Sequence, residues 1–128
     1  MSDFVGIDVE GIPELLSRLG RVGNQKAYAK GIEESAKHIR RKLMEYPPAK
    51  PDSDYRRTGK LRRGWNIMDF GGLRSLVVNE VEYAPYVQGE RQVGYHRQTG
   101  WRTTDDVAER EADAVSRIMA RTVERATR

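Results

Sequence analysis

Two adjacent prolines, Pro47 and Pro48, stand at the end of a long helix-compatible run and open the segment that most constrains this chain. Proline has no backbone N–H and disfavours helical backbone in the residue before it, so a helix arriving from the N-terminal side must stop here. The segment continues to Trp65 with a third proline, Pro51, with no β-branched residue except Thr58, and with three aromatics, Tyr46, Tyr55 and Trp65. Missing donors exclude a central strand, and the charges that crowd its second half exclude a buried one. It is expected to be a Pro-rich connection over 46–58 between two halves of one fold.

Length and charge set the frame around that connection. A chain of 128 residues fits a single domain, 1–128, with a modest core. The net charge of +4 permits an anionic partner without requiring one. Its distribution says more: residues 1–36 carry −2, residues 37–63 carry +7 and residues 64–128 carry −1. Cysteine is absent, which excludes disulfides and thiolate chemistry. No apolar run approaches the roughly 20 residues of a membrane span, and Met1 is followed by Ser-Asp-Phe, so neither a membrane partner nor a secretion signal is expected.

Periodicity predicts the elements. Val5, Ile7 and Val9 alternate as in a short edge strand. Pro13 suits the first turn of a helix with Ile12, Leu15, Leu16 and Leu19 on one face. Asn24 is placed to cap a longer helix reaching about Glu45, with Tyr28, Ile32, Ser35/Ala36, Ile39 and Leu43 as its apolar stripe. Gly31 interrupts that stripe and weakens the helix by about 1 kcal/mol relative to Ala, which points to a close contact. After the connection, Thr58 to Arg63 is compatible with one helical turn. Trp65 to Asp69 and Leu73 to Asn79 read as two strands of a β-hairpin turned by Gly71-Gly72. Arg74, Leu76 and Val78 share a face that stays apolar beyond Arg74, so both sides of that strand are expected to be partly covered. Val81 to Val87 reads as a strand or as a turn into a short helical element ended by Gly89, and residues 89–103 as a polar loop or arm. Thr103 and Asp106 form a capping box for a last helix to about Ala126, with Val107, Glu111, Ala114/Val115, Ile118 and Thr122 on one face. The fold class is therefore α+β: a small antiparallel sheet with a β-hairpin packed against two long amphipathic helices.

Chemistry is sparse. His38 and His96 have the settings of boundary and surface residues, and no metal-ligand spacing is present. Asp52 and Asp54 do not make an acid/base pair, and Asp105, Asp106, Glu109 and Asp113 fit a solvated helix face. The expectation is a non-enzyme with no cofactor. Nucleic-acid binding has a real basis in Lys37, Arg40, Arg41, Lys42, Arg56, Arg57, Lys60, Arg62 and Arg63, beside aromatics able to stack. No helix-turn-helix or zinc-finger spacing accompanies them. Protein assembly accounts for more features together: exposed Tyr46 and Tyr55 on a stiff connection, neighbouring arginines, and aromatic anchors Tyr95 and Trp101 in the 89–103 segment.

Three runs then carry a resemblance: Tyr46-Pro47-Pro48; Arg57-Thr58-Gly59-Lys60-Leu61-Arg62-Arg63-Gly64-Trp65; and Val78-Asn79-Glu80-Val81-Glu82-Tyr83-Ala84-Pro85-Tyr86-Val87-Gln88-Gly89. The chain resembles the tail-component, or tail-completion, family of long-tailed bacteriophages and prophages. That family has a Pro-terminated helix, a Thr-Gly-x-Leu-x-x-Ser motif, and an Asn-x-x-x-Tyr-Ala-x-x-Val-x-x-Gly segment after a β-hairpin. Gly64 stands where the family commonly has Ser. The resemblance implies a structural virion protein of the neck or tail, a head–tail joining subunit of a homo-oligomeric ring. Its implied partners are adaptor, stopper, tail terminator or tail-tube proteins, near DNA but not specific for it, in the virion and, during assembly, the host cytoplasm. Assembly contacts are then expected at Tyr46, Tyr55, Arg57, Lys60, Arg62, Tyr95 and Trp101. Thr58, Gly59, Leu61, Asn79, Tyr83, Ala84 and Gly89 are expected to hold the fold. The alternative is a small basic DNA-binding or DNA-channel-lining module.

Overall fold

The computed structural model describes residues 4–10, 22–48, 59–71 and 73–126. The elements in order are β1 (Val5–Glu10), α1 (Val22–Leu43), α2 (Lys60–Arg63), β2 (Trp65–Asp69), β3 (Arg74–Asn79), α3 (Ala84–Gln88), α4 (Gly94–Gln98) and α5 (Thr104–Ala126). The helix expected from Pro13 to Leu19, most of the Pro-rich connection, and with it Tyr55, Arg57 and Thr58, lie outside the described residues.

The strands form one antiparallel sheet in the order β1-β3-β2, so β1 is an edge strand as its short alternating pattern implies. Val5 faces Asn79 and Ile7 faces Val77 across the first pair, and Trp65 faces Asn79 across the second. Between β2 and β3, Gly71 takes the positive φ of 78° that a tight turn needs, and the Phe70 N–H donates to the Arg74 carbonyl at 2.8 Å. One face of β3 presents Ser75, Val77 and Asn79, all buried. On the other, Val78 is also buried and Leu76 is half-buried, so the double covering expected of β3 is present. Arg74 on the exposed end grips Asp8 with three hydrogen bonds, Nε to Oδ1 at 3.0 Å and to Oδ2 at 3.2 Å, and Nη2 to Oδ2 at 2.8 Å. These bonds hold the Asp8 carboxyl below its usual range.

The two long helices supply the second layer. Helix α1 packs across all three strands and runs along α5, which also reaches β1. Its buried positions Ala27, Tyr28, Ile32, Ser35, Ala36, Ile39 and Leu43 repeat at three and four residues, as the stripe requires. Gly31 makes the close contact its place in the stripe implies: a Cβ there would lie 2.7 Å from Met119 Sδ of α5. Helix α1 begins at Val22, and the Asn24 side chain expected to cap it lies outside the described side chains. At the other end Arg40, Arg41 and Lys42 lie in the last turn, favourable for the helix dipole. The Met44 N–H still bonds back to Arg40 and Arg41, and the chain leaves the helix before Pro47.

The capping box of α5 is complete. The Asp106 N–H donates to Thr103 Oγ1 at 3.1 Å, and the Thr103 N–H donates to Asp106 Oδ2 at 3.0 Å. Along the helix Val107, Ile118 and Thr122 are buried. Received hydrogen bonds, the Thr103 backbone N–H first, hold the Asp106 carboxyl below its ordinary value of 3.8. A lowered folded value means that the cap stabilises above the unfolded value and loses that contribution as pH falls through the folded one. Asp106→Ala is therefore expected to cost about 0.5–1 kcal/mol at neutral pH. In chemical denaturation the gap from the parent should close in strong acid; a gap unchanged at the lowest pH would show that the carboxylate does not carry the cap.

Candidate assembly surface

Of the described motif residues, Leu61 and Asn79 meet directly, and Ala84 and Gly89 lie on α3 and at its end. Asn79, fully buried at the end of β3, donates from Nδ2 to the Leu61 carbonyl at 2.7 Å and accepts the Val81 N–H on Oδ1 at 3.0 Å. One carboxamide thus joins α2, β3 and the turn after it. Gly59 precedes α2 with φ 81°, the left-handed region that favours glycine. Leu61 is buried below it. Gly64 lies directly under the junction, where a Cβ would meet Asn79 Oδ1 and Val81 Cγ2, both at 2.6 Å. Gly89 is equally confined, 2.4 Å from Val5 Cγ1 and 2.7 Å from Pro85 Cα if a Cβ were added. Ala84 is fully buried. Tyr83 serves the fold through its backbone, its carbonyl accepting the Tyr86 N–H at 3.0 Å, while its side chain is exposed.

A second junction is not legible as a motif. Gln88, 1 % exposed at the end of α3, accepts from Tyr46 Oη at 2.9 Å and from Trp65 Nε1 at 3.3 Å. Its Nε2 donates to the Leu43 carbonyl at 3.0 Å and to the Arg102 carbonyl at 3.3 Å. Trp65 Nε1 also donates to Tyr46 Oη at 2.9 Å. The available signal is spacing: Ala84, Val87 and Gln88 share one helical face, so a glutamine stands where the core begins. Another missed pair is His38 and Glu111, which join α1 to α5 through Nε2 and Oε1 at 2.7 Å.

These junctions sort the expected contact residues. Tyr46, expected to be exposed, is half-buried, its hydroxyl spent on Gln88 and its ring 4.6 Å from that of Trp101. Trp101 is half-buried too and packs against the core, with His96 edge-on at 5.7 Å. Both rings are engaged inside the molecule because residues 89–103 do not extend as an arm. Gln92 Nε2 donates to the Val87 and Trp101 carbonyls, each at 2.9 Å, and so folds the segment back on itself around α4. Burial lowers the pKa of His96 below its ordinary 6.5, which keeps the ring neutral at pH 7.

Tyr95 on α4 is 58 % exposed, with its ring edge-on to His96 at 5.7 Å. Tyr86, beside it through the Val93–Tyr86 backbone bond, is 45 % exposed with Arg91 stacked 4.9 Å over its ring. Lys60 and Arg62 are exposed on α2. The outer surface therefore offers basic groups on α2 and an aromatic group on α3–α4. Among the described residues no three His, Cys, Asp or Glu side chains are placed to hold a metal ion, and no helix is long and apolar enough to cross a membrane. Comparison with protein families, with curated proteins and with solved structures gives no match.

Two substitutions separate scaffold from surface. Trp101→Ala is expected to lower stability by about 2–3 kcal/mol, whereas Tyr95→Ala should change it by under about 0.5 kcal/mol. Equal losses of the two variants in urea denaturation would contradict this division. Gly64→Ser, which restores the residue common in the resembled family, should cost about 1–3 kcal/mol, because a Cβ collides with a hydrogen-bonded carboxamide. A Gly64→Ser chain as stable as the parent would show that Asn79 can move aside.

Proposed function

We propose that this chain is a structural subunit of the neck or tail of a long-tailed bacteriophage or prophage, part of a ring that joins or completes head and tail. The observation that carries the reading is that the described residues of the resembled motif are spent on the fold. Leu61, Asn79, Ala84 and Gly89 are buried, Asn79 joins α2 to the turn after β3, Gly59 supplies the left-handed turn before α2, and Tyr83 contributes through its backbone. A motif spent on scaffold suits a protein whose work is shape and contact. The surface left outside that scaffold, Lys60 and Arg62 on α2 and Tyr95 on α4, supplies a charged rim and a rigid aromatic anchor for neighbouring subunits.

A DNA-binding or channel-lining role is the second reading, favoured by exposed Arg41, Arg62 and Arg63 in the segment of highest positive charge. Light scattering after size exclusion, with and without head–tail partner proteins, discriminates the two when run beside DNA titrations at low and physiological salt. The neck reading expects an oligomer or a complex with a neck protein, weakened by Tyr95→Ala combined with Lys60→Ala and Arg62→Ala at unchanged thermal stability. A single chain that binds none of these proteins but binds DNA with steep salt dependence would overturn it.

A further inference from the structure

A basic groove of about 560 Å³ runs between α1 and α5. One wall carries Lys37 and Arg41 and the other Arg117 and Arg121, each pair four residues apart, with Glu34 and His38 also lining it. Glu34 is engaged by the Thr122 hydroxyl at 3.3 Å, and His38 by Glu111. Lys37 has only an exposed partner, Glu33 at 3.1 Å. Arg41, Arg117 and Arg121 form no ion pair among the described residues. Four cations facing one another across a narrow groove repel, and a carboxylate-bearing insert relieves that repulsion.

The same chain carries such an insert. Asp105, Glu109 and Asp113 are exposed, lie four residues apart on α5, and make no ion pair among the described residues. On a helix both the acidic stripe and each basic wall advance about 6 Å per step, so their charges can pair in register. On its own chain only Asp113 stands within one turn of the groove and it forms no ion pair with Arg117 among the described residues, while Glu109 lies about 15 Å along the axis from the midpoint of Arg117 and Arg121. Duplex DNA presents about one charge per 1.7 Å of axis and would call for a longer basic track than two such pairs.

We propose that the N-terminal half of α5 of a second copy docks by its Asp105–Glu109–Asp113 stripe into the α1–α5 groove, giving a head-to-tail contact. Different patches meet in such a contact, so repetition generates a ring when the rotation closes and a filament when it does not. The inference deepens the assembly reading and rests on it.

The test is charge reversal read by light scattering at about 50 and 150 mM salt. Arg117→Glu with Arg121→Glu reverses one groove wall, and Glu109→Lys with Asp113→Lys reverses the stripe while sparing the α5 cap. Each double variant should keep the parent's circular dichroism melt yet self-associate about tenfold or more weakly. Mixing the two should restore association, since the unreversed groove of one variant meets the unreversed stripe of the other. If the parent oligomerises and both variants do so equally, or the mixture fails to recover, this interface is wrong while the assembly reading stands. A parent that stays a single chain alone and with neck proteins, and whose only loss on groove reversal is salt-sensitive DNA binding, would overturn both.

Discussion

Gln88 is the constraint on which most of the architecture depends. Its one carboxamide accepts from Tyr46 and Trp65 and donates to the carbonyls of Leu43 and Arg102. Those partners are the end of α1, the residue following it by three, the start of β2, and the approach to α5. A buried amide with its hydrogen-bonding capacity used is a rigid, specific joint, whereas the same group with one partner removed would carry a desolvation cost of about 1–3 kcal/mol. The direction in which α1 ends, the seating of the Trp65 ring and the entry angle of α5 are therefore coupled through one side chain. Asn79 does the equivalent work on the opposite flank of Trp65 by bonding Leu61 and Val81.

Between those two amides the helix pair closes over the sheet because its contact face is thin. Gly31 admits Met119, and Ser35 and Ala36 keep the buried side of α1 small. The Ser35 hydroxyl is buried without a hydrogen-bond partner among the described residues, a cost the fold bears for close approach. Above that contact the separation of the helices leaves the basic groove, with the His38–Glu111 bond spanning the two helices beside it. Close packing below and like charge above follow from the same geometry.

The small antiparallel sheet, both long helices, the α5 cap and the contact at Gly31 were legible because each rests on a local rule: alternation, three-to-four spacing, capping chemistry, or glycine out of place. The residues that failed were those whose partners are remote in sequence. Tyr46 reads as exposed because it precedes two prolines, and nothing local reveals Gln88 forty-two residues later as the acceptor of its hydroxyl. Trp101 reads as an anchor on an arm for the same reason, since the fold-back depends on Gln92 bonding to residues on both sides of α4.

The charge on α5 shows how far scaffold and surface can be separated on one element. Its core face, Val107, Ile118 and Thr122, is fixed by burial and tolerates little change. Its exposed face is mainly acidic in the first half and mainly basic in the second, with Arg110 and Glu124 as exceptions, an order that also suits the helix dipole. Dipole matching accounts for acidic groups in the first turn and Arg125 in the last, but it falls off within a turn of each end. It gives no reason for Asp113 or for Arg117 near the middle. Those two residues, four apart with opposite charge, are placed to pair with each other across i,i+4, yet they do not do so among the described residues. Mid-helix charges that neither serve the dipole nor neutralise each other stay on the exposed face of the helix, where solvation rather than pairing accommodates them.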